Sequence, residues 1–586
     1  MLKLTVPVLV KDPEVARWKD VAITHPFTID SEEFFLDGPV SRRVAVLDFD
    51  PASGALAPGA RYLAPSQPGG AASFDLPRNV DLGDPSFLQV ATFGGVYKTI
   101  AMFEERDTLG RRVSWAFPGP QLLVVPRAGE WANAFYDRES RSIQLFYFTP
   151  ADGGATVFTC HSQDIIAHET AHAVIDAVAP DLYHASSPES LAIHESVADL
   201  ATLMMSFRSR ELAERVLEQT GGSIASSTAF TAVAEQFGSA LRENRHALRD
   251  LNNDRTLNDA DLDRGEPHAL SEVLSGALYR VMVRIYDEIR QAPQDQETPE
   301  GRVAVKAEYR RWARSDNPSV RQFRAGDRAR ASAGRALFVA SERFKRTVLR
   351  GLDYLPPGEV TFADFARAIL ASDEASHPDS GEQRDWLAEE FVRRGIAARK
   401  RDLDVDTQFE HRAVGALDLE ELMRSDWLAY RFADRHRSLL GMPPRVPFEV
   451  RPRLDVTKRY YHRGDEPQMV RECLFKVAWS ESESAAPVPG LPAKRRLTRG
   501  STMAIDWTSR RVRAVVTARD QPRSRRFRDA FVARLVSRDA LRLGDAATAP
   551  DGRPLRGVVR GEVAGGTLRL LGAARALHLL EEPARG

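Results

Sequence analysis

The stretch Asp164-Ile165-Ile166-Ala167-His168-Glu169-Thr170-Ala171-His172-Ala173-Val174-Ile175-Asp176-Ala177-Val178 decides how this chain is read. Its apolar residues recur with a helical period, Ser162 stands where a cap would start the helix, and Pro180 ends the run. On a helix with 3.6 residues per turn, His168 and His172 project one above the other from one face, so both imidazoles can reach a single ion. Zinc fits such a pair. Glu169 is rotated by about 100° from His168, which keeps its carboxylate off the ion and beside a water in an open coordination position. That is the station of a general base.

A tetrahedral catalytic site needs a third protein ligand and an open fourth place. The next apolar run offers one in His194-Glu195-Ser196-Val197-Ala198-Asp199, on a helix expected to start with Ser187 as cap and Pro188 in its first turn. The connection from Pro180 to Ser187 lets that helix pack back on the first. Asp199 lies one turn beyond Glu195, where it can accept the free ring N–H of a ligating histidine and fix its tautomer. Taken singly, each of these is an ordinary charged helix residue; the combination points to zinc.

The run from Asp164 to Phe207 resembles the core of the thermolysin family of zinc metallopeptidases, within the wider gluzincin group. The resemblance implies that His168, His172 and Glu195 bind zinc, that Glu169 activates the water, and that Asp199 is the outer partner of His168. It extends to Tyr183, eleven residues past His172, as the tyrosine that donates to the oxyanion. Asp263 and His268 resemble the family pair in which the aspartate orients a histidine that stabilises the tetrahedral intermediate. Asn133-Ala134-Phe135-Tyr136 resembles the edge-strand segment whose asparagine side chain and alanine backbone bind an extended peptide. Leu248-Arg249 resembles the pair whose arginine holds the substrate carbonyl; outside the resemblance, Asn133 reads equally as a turn or edge residue and Arg249 as a solvated helix arginine.

The departures are specific. About three extra residues fall between Tyr183 and Glu195, assigned to the His184–Glu189 loop. His194 stands where the family has asparagine, and Ser206 where it has an acidic calcium ligand. Asp164 alone survives of that set, which argues against structural calcium.

The expected function is a zinc-dependent metalloendopeptidase acting on peptide or protein substrates. Ile165 and Leu248, if they line a pocket rather than the core, favour a hydrophobic residue after the scissile bond. Two other readings share the motif. One is a gluzincin aminopeptidase, although no acidic motif for capturing a free amine is visible. The other is a non-catalytic module that uses the zinc fold as a scaffold for binding, which would have no need of Glu169, Tyr183 and His268.

The 586 residues, 43% of them hydrophobic, suffice for roughly two to four domains with real cores. A formal net charge of −1 provides no field to attract nucleic acid or an anionic membrane. Cys160 and Cys473 are the only cysteines, too few for a disulfide framework or a zinc knuckle, and buried free thiols are expected. No run approaches the roughly twenty apolar residues of a membrane span. The N-terminal apolar run is broken by Pro7 and Lys11 and reads as a first strand rather than a signal peptide, which favours a cytoplasmic enzyme or one exported by a specialised route. Restraint of activity is then expected from an N- or C-terminal region covering the cleft.

The expected fold class is α+β in three parts. Residues 1–80 form a small β-rich region with a Pro/Gly/Ala-rich loop from Pro51 to Gly70. Residues 81–396 form a thermolysin-like catalytic domain, with a β-rich lobe over Pro85–Pro150, the zinc helices, and a helical lobe over Ala229–Arg249, His268–Ile289, Arg330–Leu349, Phe362–Ala371 and Trp386–Arg394. Residues 397–586 form an accessory α+β domain. It is expected to have strands at Arg451–Val456, Val470–Trp479, Ser501–Trp507 and Val512–Thr517, a linker over Ser480–Pro492 and a helix over Arg525–Val536. Its arginines at 495, 496, 499, 510, 511, 513, 519, 523, 525, 526 and 528 make either a solvated face or a docking site for an acidic partner.

Overall fold

Strand β1 (Leu2–Leu9) pairs antiparallel along its length with β2 (Thr24–Ser31) after the short helix α1 (Pro13–Trp18). A computed structural model describes residues 2–31, 34–150, 153–226, 228–234, 249–291, 328–461, 467–544 and 559–577. Strands β3 (Phe35–Leu36), β4 (Val40–Ser41) and β5 (Val44–Val46) follow, then β6 (Tyr62–Leu63) and β7 (Ala71–Phe74), which complete the first sheet in the order β2-β1-β7-β6. A second sheet joins β3, β4 and β5 to β8 (Leu122–Val125), β9 (Ala134–Asp137) and β10 (Ser142–Leu145) in the order β3-β4-β5-β8-β10-β9. Because β5 and β8 pair residue by residue, strands from both sides of residue 80 share one sheet.

The β-rich reading of Pro85–Pro150 also needs correction, since Pro85–Glu104 is helix α2, capped by the Asp84 side chain accepting from Phe87 N. It is buried on nearly every side, so no polar face marks its period. Gly94 and Gly95 make that burial possible. A Cβ on Gly94 would lie 2.9 Å from the Pro7 carbonyl oxygen of β1, and one on Gly95 3.0 Å from Ile166 Cγ2.

After the pair β11 (Tyr147–Phe148) and β12 (Val157–Phe158) come α3 (Gln163–Val178), α4 (Pro188–Phe207) and α5 (Arg210–Gln219). Ser162 caps α3 as expected, its hydroxyl accepting from Ile165 N. Every residue of α4 is buried. The helix expected over Ala229–Arg249 is absent at both ends, where β13 (Ala232–Val233) pairs with β14 (Arg249–Asp250); residues 235–248, with Leu248, lie outside the described residues. Helices α6 (Pro267–Gln291), α7 (Arg328–Tyr354), α8 (Phe362–Ser376) and α9 (Gly381–Arg393) coincide with the four other expected helical runs.

The C-terminal part starts with β15 (Thr407–Phe409) and helices α10 (Arg412–Gly415), α11 (Leu419–Arg424) and α12 (Asp426–Arg435). Strands β16 (Phe448–Val450), β17 (Leu454–Tyr460), β18 (Gln468–Ser484), β19 (Lys494–Asp506) and β20 (Val512–Thr517) then precede helix α13 (Ser524–Ser537). Strands β21 (Leu541–Leu543), β22 (Val559–Ala564) and β23 (Thr567–Leu571) complete a nine-stranded sheet. The expected linker is instead a hairpin: β18 pairs with β19 from Glu472–Asp506 out to Ser484–Lys494.

The mixed α and β content agrees with the expected class, but the C-terminal region is not an appendage. One hydrophobic core runs from Leu4 to Leu577, and only α10–α12 with one face of the β16–β18–β19–β20 region form a second, smaller one. Buried Asp353 of α7 joins Arg111 (2.7 Å) to Lys458 of β17 (2.5 Å). The arginine run is divided: Arg495, Arg499 and Arg528 are buried, whereas Arg496, Arg519, Arg525 and Arg526 are exposed. Arg495 bonds Glu483 and Asp529, Arg528 bonds Glu483, Arg499 meets Asp520 and Arg511 meets Glu410. Both cysteines are buried free thiols. No helix among the described residues is long and apolar enough to cross a membrane.

Candidate metal centre

On α3, the one-turn spacing brings His168 Nε2 and His172 Nε2 to 3.0 Å from each other. Glu195, on the antiparallel-packed α4, presents Oε2 at 3.3 Å from His168 Nε2 and Oε1 at 3.3 Å from His172 Nε2. Ligand atoms bound at 2.0–2.1 Å around a tetrahedral ion are about 3.3 Å apart, so this triangle of two nitrogens and a carboxylate has the dimensions of one zinc coordination face. Neither oxygen of the fully buried Glu195 carboxylate has a hydrogen-bond partner. A charge in that position needs a cation or a donor, and the donor set suits zinc.

The electrostatics favour positive charge at this point. Burial pushes Glu195 up, but His268 and His172 outweigh it and hold the carboxyl well below its ordinary range. Burial likewise pulls His168 down, yet Asp199 and Glu195 lift it to about 9. Asp199 Oδ1 lies 3.0 Å from His168 Nδ1, the outer contact expected from the sequence, and it leaves Nε2 facing Glu195.

His172 has a different outer partner. Its Nδ1 is 2.6 Å from Nδ1 of His194, with ring centroids 4.8 Å apart and the ring planes 27° from parallel. Burial holds His194 well below its ordinary value, so it is a neutral acceptor for the His172 ring N–H. His194, where the resemblance expects asparagine, thus orients the His172 ring.

Glu169 is 3% exposed, and its Oε2 accepts from the backbone N–H of Tyr136 at 2.9 Å. Burial raises its carboxyl above the ordinary range. The Tyr136 bond fixes more than Glu169. In the β9–β10 ladder Phe135 opposes Gln144 and Tyr136 opposes Ile143, so the outward amide of Tyr136 means that Ala134, two residues back, also turns its backbone to the free edge. Among the described residues β9 is an edge strand. Asn133 Oδ1 accepts from Ala134 N at 2.7 Å, and Asn133 and Ala134 lie just before Tyr136 on that edge.

Arg249 donates to Asp199 from Nε (3.2 Å) and Nη2 (3.0 Å), with Nη2 3.9 Å from Glu195 Oε2. It sits on β14 rather than a helix and braces the carboxylate behind His168. His268, in the first turn of α6, brings Nε2 to 3.4 Å from Glu195 Oε2.

Two expected roles are corrected. Asp263 does not orient His268: it accepts from Gly265 N and from Arg534 of α13, and it is half exposed. Glu266 does so instead, with Oε1 2.9 Å from His268 Nδ1 and Oε2 accepting from Ala269 N at 2.6 Å. Although burial raises Glu266, His268 and these bonds bring it down to about 2. Tyr183 does not turn its hydroxyl to the ligands. It donates to Asp137 Oδ1 at 3.1 Å, its ring lies under the Arg138 guanidinium, and burial raises the phenol well above its ordinary value.

Three contacts escaped sequence reasoning. Glu266 stands two residues before His268 at a helix start, a visible signal for a capping carboxylate. The Tyr136 amide carries no side-chain signal at all. Lys11, far away in sequence, sends its buried ammonium to Asp164 Oδ2 (2.6 Å) and to the Ala232 carbonyl (2.9 Å). The chain itself thus provides the cation that Asp164 faces.

No protein-family model matches this chain, and no curated protein does.

Proposed function

We propose that the chain is a zinc-dependent endopeptidase of thermolysin-like chemistry. The observation that carries this reading is the 3.0, 3.3 and 3.3 Å triangle of His168, His172 and Glu195, with Glu169 beside it on the same helix. When bound there, zinc supplies a Lewis acid that polarises a carbonyl and acidifies water.

The chain's own groups do the rest. Glu169, held by the Tyr136 amide and raised by burial, takes the proton of the attacking water and returns it to the leaving amine. His268, fixed by Glu266, donates to the developing oxyanion, a contribution typically worth about 3 kcal/mol of barrier. A peptide adds as a strand to the free edge of β9, with Asn133 swinging off the Ala134 amide to bond the substrate backbone. Buried Asp199 and Arg249 keep His168 aimed. Tyr183 becomes a second oxyanion donor only if substrate draws its hydroxyl away from Asp137. A hydrophobic residue after the scissile bond remains the proposed preference, with Ile165, 8% exposed, at the start of the metal helix. The aspartate pairing of Tyr183 is the observation that favours the alternative, a zinc scaffold without turnover.

Internally quenched peptides with blocked and with free N-termini test these readings. Zinc-loaded protein is expected to cut them internally, and the Glu169→Gln variant, with equal zinc, to be at least about a thousandfold slower. Cleavage restricted to free N-termini would favour an aminopeptidase, and no cleavage with zinc bound would favour the scaffold.

A further inference from the structure

Behind the metal helix, away from its histidines, the C-terminal sheet encloses a second feature. A cavity of about 130 Å³ lies between the end of α3 and the turn after it (Ala177, Val178, Leu182), the α7–α8 connection (Leu355, Pro357) and the sheet (Leu454). Its wall is mostly apolar. A cavity of about 150 Å³ with such walls accepts a benzene-sized molecule.

The polar part of the wall holds two cations, Lys476 and Arg451, and one carboxylate, Asp181. Lys476 of β18 is 8% exposed, and its ammonium donates to the Leu355 carbonyl at 3.0 Å. No carboxylate among the described residues lies within ion-pair distance of it. Arg451 is the second cation; it pairs with Asp181 at 2.7 Å and with the exposed Glu449, while its buried Nε has no partner. Asp353, whose charge also acts on Lys476, already serves both Arg111 and Lys458. Lys476 is thus a buried amine that, among the described residues, donates to a neutral carbonyl, at the edge of an apolar space that also reaches the Arg451 guanidinium. Burial pulls its amine down to about 8. A buried cation of this kind is costly unless an anion joins it.

We propose that this cavity binds a small monocarboxylate with a short apolar body, its carboxylate on Lys476 and Arg451 and its apolar end among Ala177, Val178, Leu182 and Leu454. The same chemistry is offered by a free short-chain acid and by the C-terminus of a peptide ending in an apolar residue. The site is independent of the metal centre, so its test does not depend on peptidase activity.

The test is calorimetric titration of the full-length protein with hexanoate, N-acetylleucine and hexanamide. A carboxylate is expected to bind at least tenfold more tightly than hexanamide, and the better of the two acids identifies the source. At pH 9 binding is expected to take up protons, because the bound carboxylate returns charge to the amine. Lys476→Met is expected to weaken acid binding at least tenfold and to abolish the proton uptake, with little change for hexanamide. Leu454→Phe, which fills the cavity without touching a charge, is expected to weaken all three ligands. Equal affinity for hexanoate and hexanamide, acid binding unchanged in a folded Lys476→Met variant, or no binding of either acid at millimolar concentration overturns the proposal.

Discussion

At the residue scale, Glu266 and Asp263 compete for one role, and the geometry separates them. Glu266 touches His268 and a helix-start amide, whereas Asp263 is half exposed and tied to Arg534. Under the proposed function, Glu266→Gln is expected to lower kcat about tenfold or more with little change in KM or zinc content, and Asp263→Asn to leave kcat nearly unchanged. Steady-state kinetics with metal analysis on both variants checks this; the reverse ranking would restore Asp263. Asp199→Asn belongs to the same scale. It removes the charge behind His168 and is expected to weaken zinc binding by about 10–100-fold in a competition titration against a chelator.

The legibility of the site follows from how each residue is connected. His168, Glu169, His172, Glu195 and Asp199 lie on two uninterrupted helices, where spacing alone dictates which side chains share a face. Glu266 and His268 straddle a loop-to-helix junction, where no period applies and five-apart and two-apart carboxylates are equally open. Tyr136 acts through its backbone, and Lys11 meets Asp164 through tertiary packing. Neither leaves a local pattern.

At the scale of elements, α2 shows the same limit from the other side. Amphipathic periodicity reveals a helix only when one face is wet, and α2 is enclosed by β1 and α3. Its Gly94-Gly95 pair is where those neighbours come closest. Gly94→Val is expected to lower stability by about 1–3 kcal/mol or more, because the backbone carbonyl of Pro7 cannot move aside as a side chain can; thermal unfolding measures it, and an unchanged Tm would refute the close packing. On the same helix, Lys98 is buried with its amine 2.9 Å from His25 Nε2, and burial brings it down to about 7. The unfolded chain binds this proton up to about pH 10 and the folded chain only up to about 7, so stability should rise with pH across that interval. Lys98→Met is expected to flatten that rise and to add about 1–4 kcal/mol at pH 7 by denaturant unfolding. Loss of stability in the variant would mean that the amine has a favourable role.

At the scale of the whole molecule, one hydrophobic core among the described residues draws on both sides of the divisions expected near residues 80 and 396. Composition and turn signals mark where chain segments change character, but they carry no information on which segments share a sheet. The β5–β8 pairing and the arginine-to-carboxylate bonds across the β18–β19 hairpin are long-range contacts of that kind. Asp353 is the joint whose failure should be most visible. Burial raises it, but Arg111 and Lys458 together hold it far below the ordinary carboxylate range. A carboxyl depressed on folding contributes its full stability above the unfolded value, near pH 4, and loses it as pH falls below that. Asp353→Asn is expected to cost about 3–5 kcal/mol at neutral pH, with two cations left unpaired, and to differ less from the parent at pH 3. A constant difference across that range would assign the loss to packing rather than charge.

The central claim is that two helices converge to hold one divalent cation with a coordination place left open. X-ray absorption at the zinc edge, on protein loaded with zinc and freed of excess, tests it most directly. The expected result is one zinc per chain with two imidazole nitrogens and carboxylate or water oxygens at about 2.0–2.1 Å, and loss of the carboxylate contribution in Glu195→Ala. A zinc-free protein after loading, or a shell without imidazole, contradicts it.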